Sequence, residues 1–294
     1  MEKRICRLLL SVVMLLVLAG CEKIDLNKID NLNNGKILVI GHGGGGFQSY
    51  FNPLPDNSMA AINRAIEGLN ADGVELDVQL TKDNQLVLYH DQQLPTLTNC
   101  YGCVTEATYA ELKDCRYNHN AGTNLASGER LVLLEDVLAR YATFARKPLI
   151  FLDIKMMNAC NPAAEPTPLA FAAALSDLIL KYDAQDWVFV ESNSLDLLLL
   201  LQEEHPEFRL LLYTKEIDKD IEVAARNGFY GITTFNNLIS KEQTKRAHQQ
   251  NLMVNVLGVK SRTGLTEAIK KNPDGIQTDN IQLLAELLRR HGDD

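Results

Sequence analysis

The chain has 294 residues, with 29 Lys plus Arg against 38 Asp plus Glu, for a formal net charge of −9. That balance excludes nucleic acid or an anionic bilayer as an electrostatic partner, because both require a surplus of positive charge. Single-domain barrels of alternating strands and helices are of this length, whereas simple two-layer domains are shorter.

Lys3, Arg4 and Arg7 precede an apolar run from Leu8 to Leu18 and then Ala19-Gly20-Cys21. This is the pattern of a secretory signal over residues 1–20 that ends in a lipobox, with Cys21 as the lipidation site. The run falls short of the roughly 20 apolar residues that a membrane span needs. Residues 21–35 then read as a lipidated cysteine and a polar tether, and 36–294 as the folded domain. The expected location is the bacterial cell envelope, with membrane attachment by the lipid anchor only.

From residue 36 onward, apolar runs with strand character alternate with helical periodicity to the end of the chain. Strands are expected at 36–41, 73–80, 148–154, 187–191, 208–213, 230–234, 252–257 and 274–278. Helical patterns separate them at 58–68, 134–144, 168–182, 195–204, 241–250 and 263–270, among others. The fold class is therefore α/β, a single (β/α)8 TIM barrel. The segment from Gln85 to Tyr89 follows a turn at Asp83-Asn84 and reads as the returning arm of a hairpin. Residues 92–133 are too long for an ordinary connection and form a small insertion after strand 2, on the face where such barrels carry their catalytic groups.

Cys6 leaves with the signal and Cys21 carries lipid, so Cys100, Cys103, Cys115 and Cys160 remain in a compartment where disulfides form. Four cysteines allow three pairings, and the sequence does not choose among them. The Cys100-x-x-Cys103 spacing is too common to argue for zinc or redox chemistry, and a disulfide staple in the loop after His90 is the expectation.

The chemistry concentrates in GHGGGG at 41–46 and GVELDVQLTKDNQLVLYHD at 73–91. Glu75 and Asp77 are two apart on one strand, share a face and can grip one cation. Asp153 joins them from the next barrel strand. Three carboxylates without His or Cys suit one oxygen-loving divalent cation, Mg2+ or Ca2+, and set zinc aside. His42 and His90 each follow a strand and supply two proton-transfer groups. By contrast, His119, His205, His248 and His291 have no motif around them and are expected to be structural or solvent-facing.

In their order, His42-Gly43-Gly44, Asp56-Asn57-Ser58, Glu75-Leu76-Asp77-Val78, His90-Asp91, Thr98-Asn99, Leu152-Asp153-Ile154-Lys155 and the run Asp274 to Asp279 resemble the motifs of the glycerophosphodiester phosphodiesterases. The resemblance spans residue 36 to the C-terminus. It implies metal-dependent hydrolysis of a small-molecule phosphodiester to sn-glycerol 3-phosphate and an alcohol. The metal would hold a phosphate oxygen and a neighbouring hydroxyl, with His42 as base and His90 as acid in the first step. It also implies catalytic His42 and His90, metal ligands Glu75, Asp77 and Asp153, and a phosphate contact from Lys155, which could instead pair with a neighbouring carboxylate.

There are three departures from the family pattern. Gly43 stands where the family has Arg, so backbone N–H groups of Gly43 and Gly44 are the expected substitute contacts to substrate. Asp153 is shorter than the usual Glu. Leu257 replaces a late Trp. Two other functions compete: a phosphatidylinositol-phospholipase-C-like lyase that stops at a cyclic phosphate, and a non-catalytic envelope lipoprotein that binds phosphorylated ligands.

Overall fold

The structure is a computed structural model, described here for residues 24–47, 49, 52–118 and 128–289. The signal segment and Cys21 lie outside the described residues, as do His119 and His291. Eight parallel strands close on themselves: β1 (Leu38–Gly41), β2 (Gly73–Leu80), β5 (Leu149–Ile154), β6 (Val188–Ser192), β7 (Arg209–Tyr213), β8 (Gly231–Phe235), β9 (Met253–Val259) and β10 (Gly275–Thr278). The barrel is closed because β1 pairs with both β2 and β10. Two short strands, β3 (Leu86–Leu88) and β4 (Val132–Leu133), extend β2 by antiparallel pairing outside the barrel. The hairpin arm and the eight barrel strands are thus where the apolar runs and the turn at Asp83-Asn84 put them.

Helices cover the outside. They are α1 (Met59–Asn63), α2 (Tyr109–Leu112), α3 (Leu134–Ala142), α4 (Pro168–Lys181), α5 (Leu195–Glu204), α6 (Ile217–Arg226), α7 (Lys241–Gln249), α8 (Arg262–Lys270) and α9 (Ile281–Leu287). Their starts are set by local chemistry. Ser58, Thr167, Ser194, Ser240, Ser261 and Asn280 each accept a hydrogen bond from the N–H three residues on, which satisfies an otherwise orphaned donor. Helix α1 ends early because the chain widens into a single π turn at Arg64–Gly68.

The main apolar core lies between strands and helices, with Leu76, Val78, Ile150, Leu152, Val190, Leu210, Val254 and Ile276 pointing outward against Phe171, Leu175, Leu198 and Ala268. The barrel interior grades from apolar to polar along its axis. Ile40, Phe151, Phe189, Leu211 and Met253 fill the lower part, with Phe151 and Phe189 stacked at 4.4 Å. One residue pair higher on each strand, Glu191 accepts hydrogen bonds from Thr233, Asn255 and Gln277 at 2.7 to 3.0 Å. The register sets Asp153 beside Glu191 and Asp77 beside Asp153, which leads to the groups of the mouth.

The insertion has a core of its own, built from Val87, Tyr89, Leu94, Val104, Leu112 and Tyr117. Two disulfides tie it down, Cys100–Cys115 and Cys103–Cys160. The second joins the insertion to the loop after β5, closing a separation of 57 residues, and on loop entropy it restrains the unfolded chain by about 4 kcal/mol. Next to it, Asn158 donates to Glu106 at 2.7 Å, so the two loops form one wall.

Residues 24–35 differ from the expected free tether. Ile24, Leu26 and Ile29 pack against the core. Leu32 N–H donates to the Asp274 carboxylate at 2.8 Å, and the Asn31 amide donates to Pro273 O at 2.9 Å. His248 bonds the same fully buried Asp274 at 2.9 Å, which makes it a structural residue. The tether docks because its apolar residues recur among the polar ones, a pattern that the asparagine-rich composition obscures.

Burial drives the pKa of Glu191 up to about 7, against the hydrogen bonds from Thr233, Gln277 and Asn255 that favour its charged form. Between about pH 4.5 and 7 the folded state therefore holds a proton that the unfolded chain releases, so this group's contribution to stability falls as pH rises through that window. Urea unfolding of wild type and Glu191→Gln at pH 5 and 7.5 is expected to differ in pH dependence by about 3 kcal/mol, with wild type losing more on going up. Equal pH dependence would contradict the assignment.

Candidate active site

The mouth of the barrel is assembled from the ends of β1, β2, β5 and β10 and from the turn after β3. Every residue of β2 is buried, so Glu75 and Asp77 have no solvated face to rest on. They point into the barrel, and the register sets Asp77 directly beside Asp153 of β5. One oxygen from each of Glu75, Asp77 and Asp153 lies within 4.8 Å of the others, a group that could hold a metal ion.

Each carboxylate is held by a different partner. The Gly43 N–H donates to Glu75 Oε2 at 2.9 Å, and the Gly44 N–H donates to the Glu75 carbonyl at 3.0 Å. The Asn57 amide donates to Asp77 Oδ2 at 2.8 Å, and Asn57 Oδ1 accepts the Asp77 N–H at 2.9 Å. Asn57 makes this two-point contact from a left-handed backbone, φ 61°, which an asparagine tolerates. Lys155 Nζ sits 2.6 Å from Asp153 and 3.0 Å from Asp77.

The charges follow from this crowding. Burial and then the neighbouring Asp77 raise Glu75 well above the ordinary carboxylate range, with His42 opposing. Burial also raises Asp153, with Lys155 opposing and Asp77 adding to the rise. Burial acts on Asp77 in the same direction, but Lys155, His90 and the Asn57 hydrogen bond outweigh it, so its pKa is lowered. Lys155 has its charge penalised by burial, yet Asp77 and Asp153 push its pKa up. One ammonium among two buried carboxylates and the half-buried Asp153 leaves the cluster short of positive charge. An all-oxygen donor set with surplus negative charge fits a hard divalent cation.

Both histidines reach the mouth. His42 Nδ1 bonds Asp279 Oδ1 at 2.9 Å, and its Nε2 lies 3.8 Å from Glu75 Oε2. Burial disfavours its charge, but the Asp279 hydrogen bond and the charges of Glu75, Asp279 and Asp77 prevail and raise it to about 9. His90 Nδ1 bonds Asp91 Oδ1 at 2.8 Å. The Phe47 ring stands edge-on to both imidazoles, with centroids 4.5 Å from His42 and 5.0 Å from His90. The two rings therefore flank one opening.

Two sequence expectations change here. The N–H groups of Gly43 and Gly44 do not substitute for the family arginine, because Glu75 takes both. A side chain at Gly43 is excluded as well. Its φ is +55°, and an added Cβ would lie 2.9 Å from Asp56 Cβ. Lys155 is engaged with Asp153 and Asp77, the ion-pair alternative to a phosphate contact. Asp56 is buried with one oxygen lacking a hydrogen-bond partner among the described residues, and burial and then Asp77 raise its pKa to about 6.

Asp279, Asn57 and Phe47 contact the candidate site residues, and residue-level reading did not single them out. Asp279 was detectable in principle, because it follows β10 and shares a face with the inward-pointing Gln277. Nothing in the sequence around Phe47 signals its place between two histidines.

Residues 46–283 match the glycerophosphoryl diester phosphodiesterase family. The chain is 30% identical over 258 residues to a glycerophosphodiester phosphodiesterase of Caldanaerobacter subterraneus, covering 87% of this chain and all of that one. Among solved structures, a putative glycerophosphoryl diester phosphodiesterase from Silicibacter pomeroyi superposes with TM-score 0.73 at 20% identity, over 86% of this chain and 93% of that one. An Oleispira antarctica phosphodiesterase in complex with the product sn-glycerol-3-phosphate superposes with TM-score 0.72 at 19% identity, over 86% and 96%. With a closed eight-stranded barrel, an acidic cluster at its mouth and a match over most of its length, the chain belongs to the glycerophosphoryl diester phosphodiesterase family.

Proposed function

We propose that this protein hydrolyses glycerophosphodiesters to sn-glycerol 3-phosphate and an alcohol, with His42 and His90 as proton-transfer groups and Glu75, Asp77 and Asp153 as ligands of one Mg2+ or Ca2+. The observation that carries this reading is the meeting of three carboxylates from two barrel strands with two Asp-oriented imidazoles at one opening.

Glu75, Asp77 and Asp153 would hold the ion, which would supply Lewis-acid charge to the substrate phosphate. His42 would act as the base, its proton affinity set by Asp279, Glu75 and Asp77. Asp279 can only accept, so it fixes the hydrogen of a neutral His42 on Nδ1 and leaves Nε2 facing Glu75, on the side where the attacking hydroxyl would lie. His90, whose Nδ1–H is directed to Asp91, would enter the step as an imidazolium and give its Nε2 proton to the departing alcohol. Lys155 is long enough to exchange Asp77 and Asp153 for the substrate phosphate once their charge is met. Two oriented imidazoles are superfluous in a module that only binds, which weighs against the non-catalytic alternative.

The start of the chain supports export and lipidation at Cys21, and the two disulfides suit an oxidising compartment. With residues 24–35 docked, only two residues separate Cys21 from Ile24. The barrel would then be held close to the membrane by its anchor.

His42→Ala and His90→Ala are each expected to lower kcat for glycerophosphocholine by about 100-fold or more, with the unfolding midpoint little changed. Activity retained in both variants would exclude this acid–base pair. Exhaustive EDTA treatment is expected to abolish turnover and Mg2+ or Ca2+ to restore it, with phosphorus NMR showing sn-glycerol 3-phosphate as end product. Full activity in EDTA, or accumulation of a cyclic phosphate, would contradict the proposal.

A further inference from the structure

One apolar ring at the mouth carries no proton, yet it touches both groups that do. The Phe47 ring lies at 80° to His42 and 85° to His90, with ring centroids 4.5 and 5.0 Å away. Among the described residues it is the one side chain in ring contact with both imidazoles. Its backbone is held as well. The Phe47 N–H donates to Asp279 Oδ1 at 3.3 Å, the same oxygen that bonds His42 Nδ1 at 2.9 Å, and the Phe47 carbonyl accepts from the Asn52 amide at 3.3 Å. A single carboxylate thus fixes the phenyl-bearing backbone and the base in one frame.

His90 is held differently. Its Nδ1 bonds Asp91, its neighbour in sequence, at 2.8 Å, which sets the ring's torsion on its own backbone but not its distance from His42. Its side chain is also 35% exposed, against 16% for His42. The phenyl ring supplies the missing link, because edge-on packing against both imidazoles fixes a spacing that neither aspartate can set. A phenyl group has neither donor nor acceptor, so it passes no proton between them. A base and an acid that hold opposite protonation states in one step need that separation.

We propose that Phe47 is a positioning residue for both proton transfers, an apolar spacer that sets the separation and tilt of the His42 and His90 imidazoles across the scissile bond. The inference rests on the assignment of His42 as base and His90 as acid. Phe47 acts through the imidazoles and not by holding substrate, so its loss lowers kcat and leaves KM. A misplacement of about 1 Å is enough to cost about 100-fold in rate. The cost is largest for a substrate that needs both transfers.

The test measures kcat and KM for glycerophosphocholine and for the p-nitrophenyl ester of glycerol 3-phosphate, whose leaving group departs without a proton. Wild type, Phe47→Ala, Phe47→Leu and Phe47→Tyr are compared in the presence of Mg2+ or Ca2+. Phe47→Ala is expected to lower kcat for glycerophosphocholine by about 30-fold with KM within about twofold, and for the p-nitrophenyl ester by only about fivefold, the share left to the base. Phe47→Tyr, which keeps the ring, is expected to stay within about threefold of wild type, with Phe47→Leu between Tyr and Ala. Should Phe47→Ala not fold, Phe47→Leu decides by the same comparison of the two diesters. A rise in KM at unchanged kcat, equal losses on the two diesters, or wild-type kcat without the ring overturns the spacer while leaving the proposed function standing. Failure of wild type to turn over either diester overturns both.

Discussion

Three carboxylates crowd together at one end of this barrel, two of them buried and Asp153 half-buried, where desolvation alone would push each of them toward protonation. Their surroundings compensate unequally. Asp77 has Lys155, Asn57 and a nearby imidazole, and it keeps its charge, whereas Glu75 and Asp153 are left above the ordinary range. A fold that only needed stability would place apolar groups here. The barrel instead accepts surplus negative charge at its mouth, and most other features of the site serve to hold that charge in place.

This constraint explains why residues of the first loop do what they do. Gly43 and Gly44 give N–H groups to Glu75, and Asn57 makes a two-point contact to Asp77. Ser58, next in line, caps α1 and so fixes where that loop ends. Gly43 is needed for its left-handed backbone and its close approach to Asp56. An arginine at this position would have to displace that approach, so the loss of the family arginine is built into the backbone itself.

Much of the architecture was legible because a barrel strand is buried on both faces and bounded by turns, and eight such runs recur along the chain. The period-2 placement of Glu75 and Asp77 and the turn at Asp83-Asn84 made the β2–β3 hairpin and the acidic pair readable from the sequence. The pairing of Cys103 with Cys160 was not, because it depends on the insertion folding back over the loop after β5. Docking of residues 24–35 was masked by their polar composition, although Ile24, Leu26 and Ile29 carried the signal. Glu191 escaped notice because a buried acid surrounded by amides looks like any other strand residue until Thr233, Asn255 and Gln277 are brought around it.

Glu75, Asp77 and Asp153 are proposed to bind one cation together. Crystals soaked in Mn2+, as an anomalous scatterer in place of Mg2+ or Ca2+, give the most direct measurement. The expected result is a single anomalous peak at about 2.0–2.6 Å from one oxygen of each carboxylate, with Lys155 Nζ moved off Asp77 and Asp153. A peak elsewhere, or none at saturating Mn2+ with Lys155 still paired to both, would contradict it.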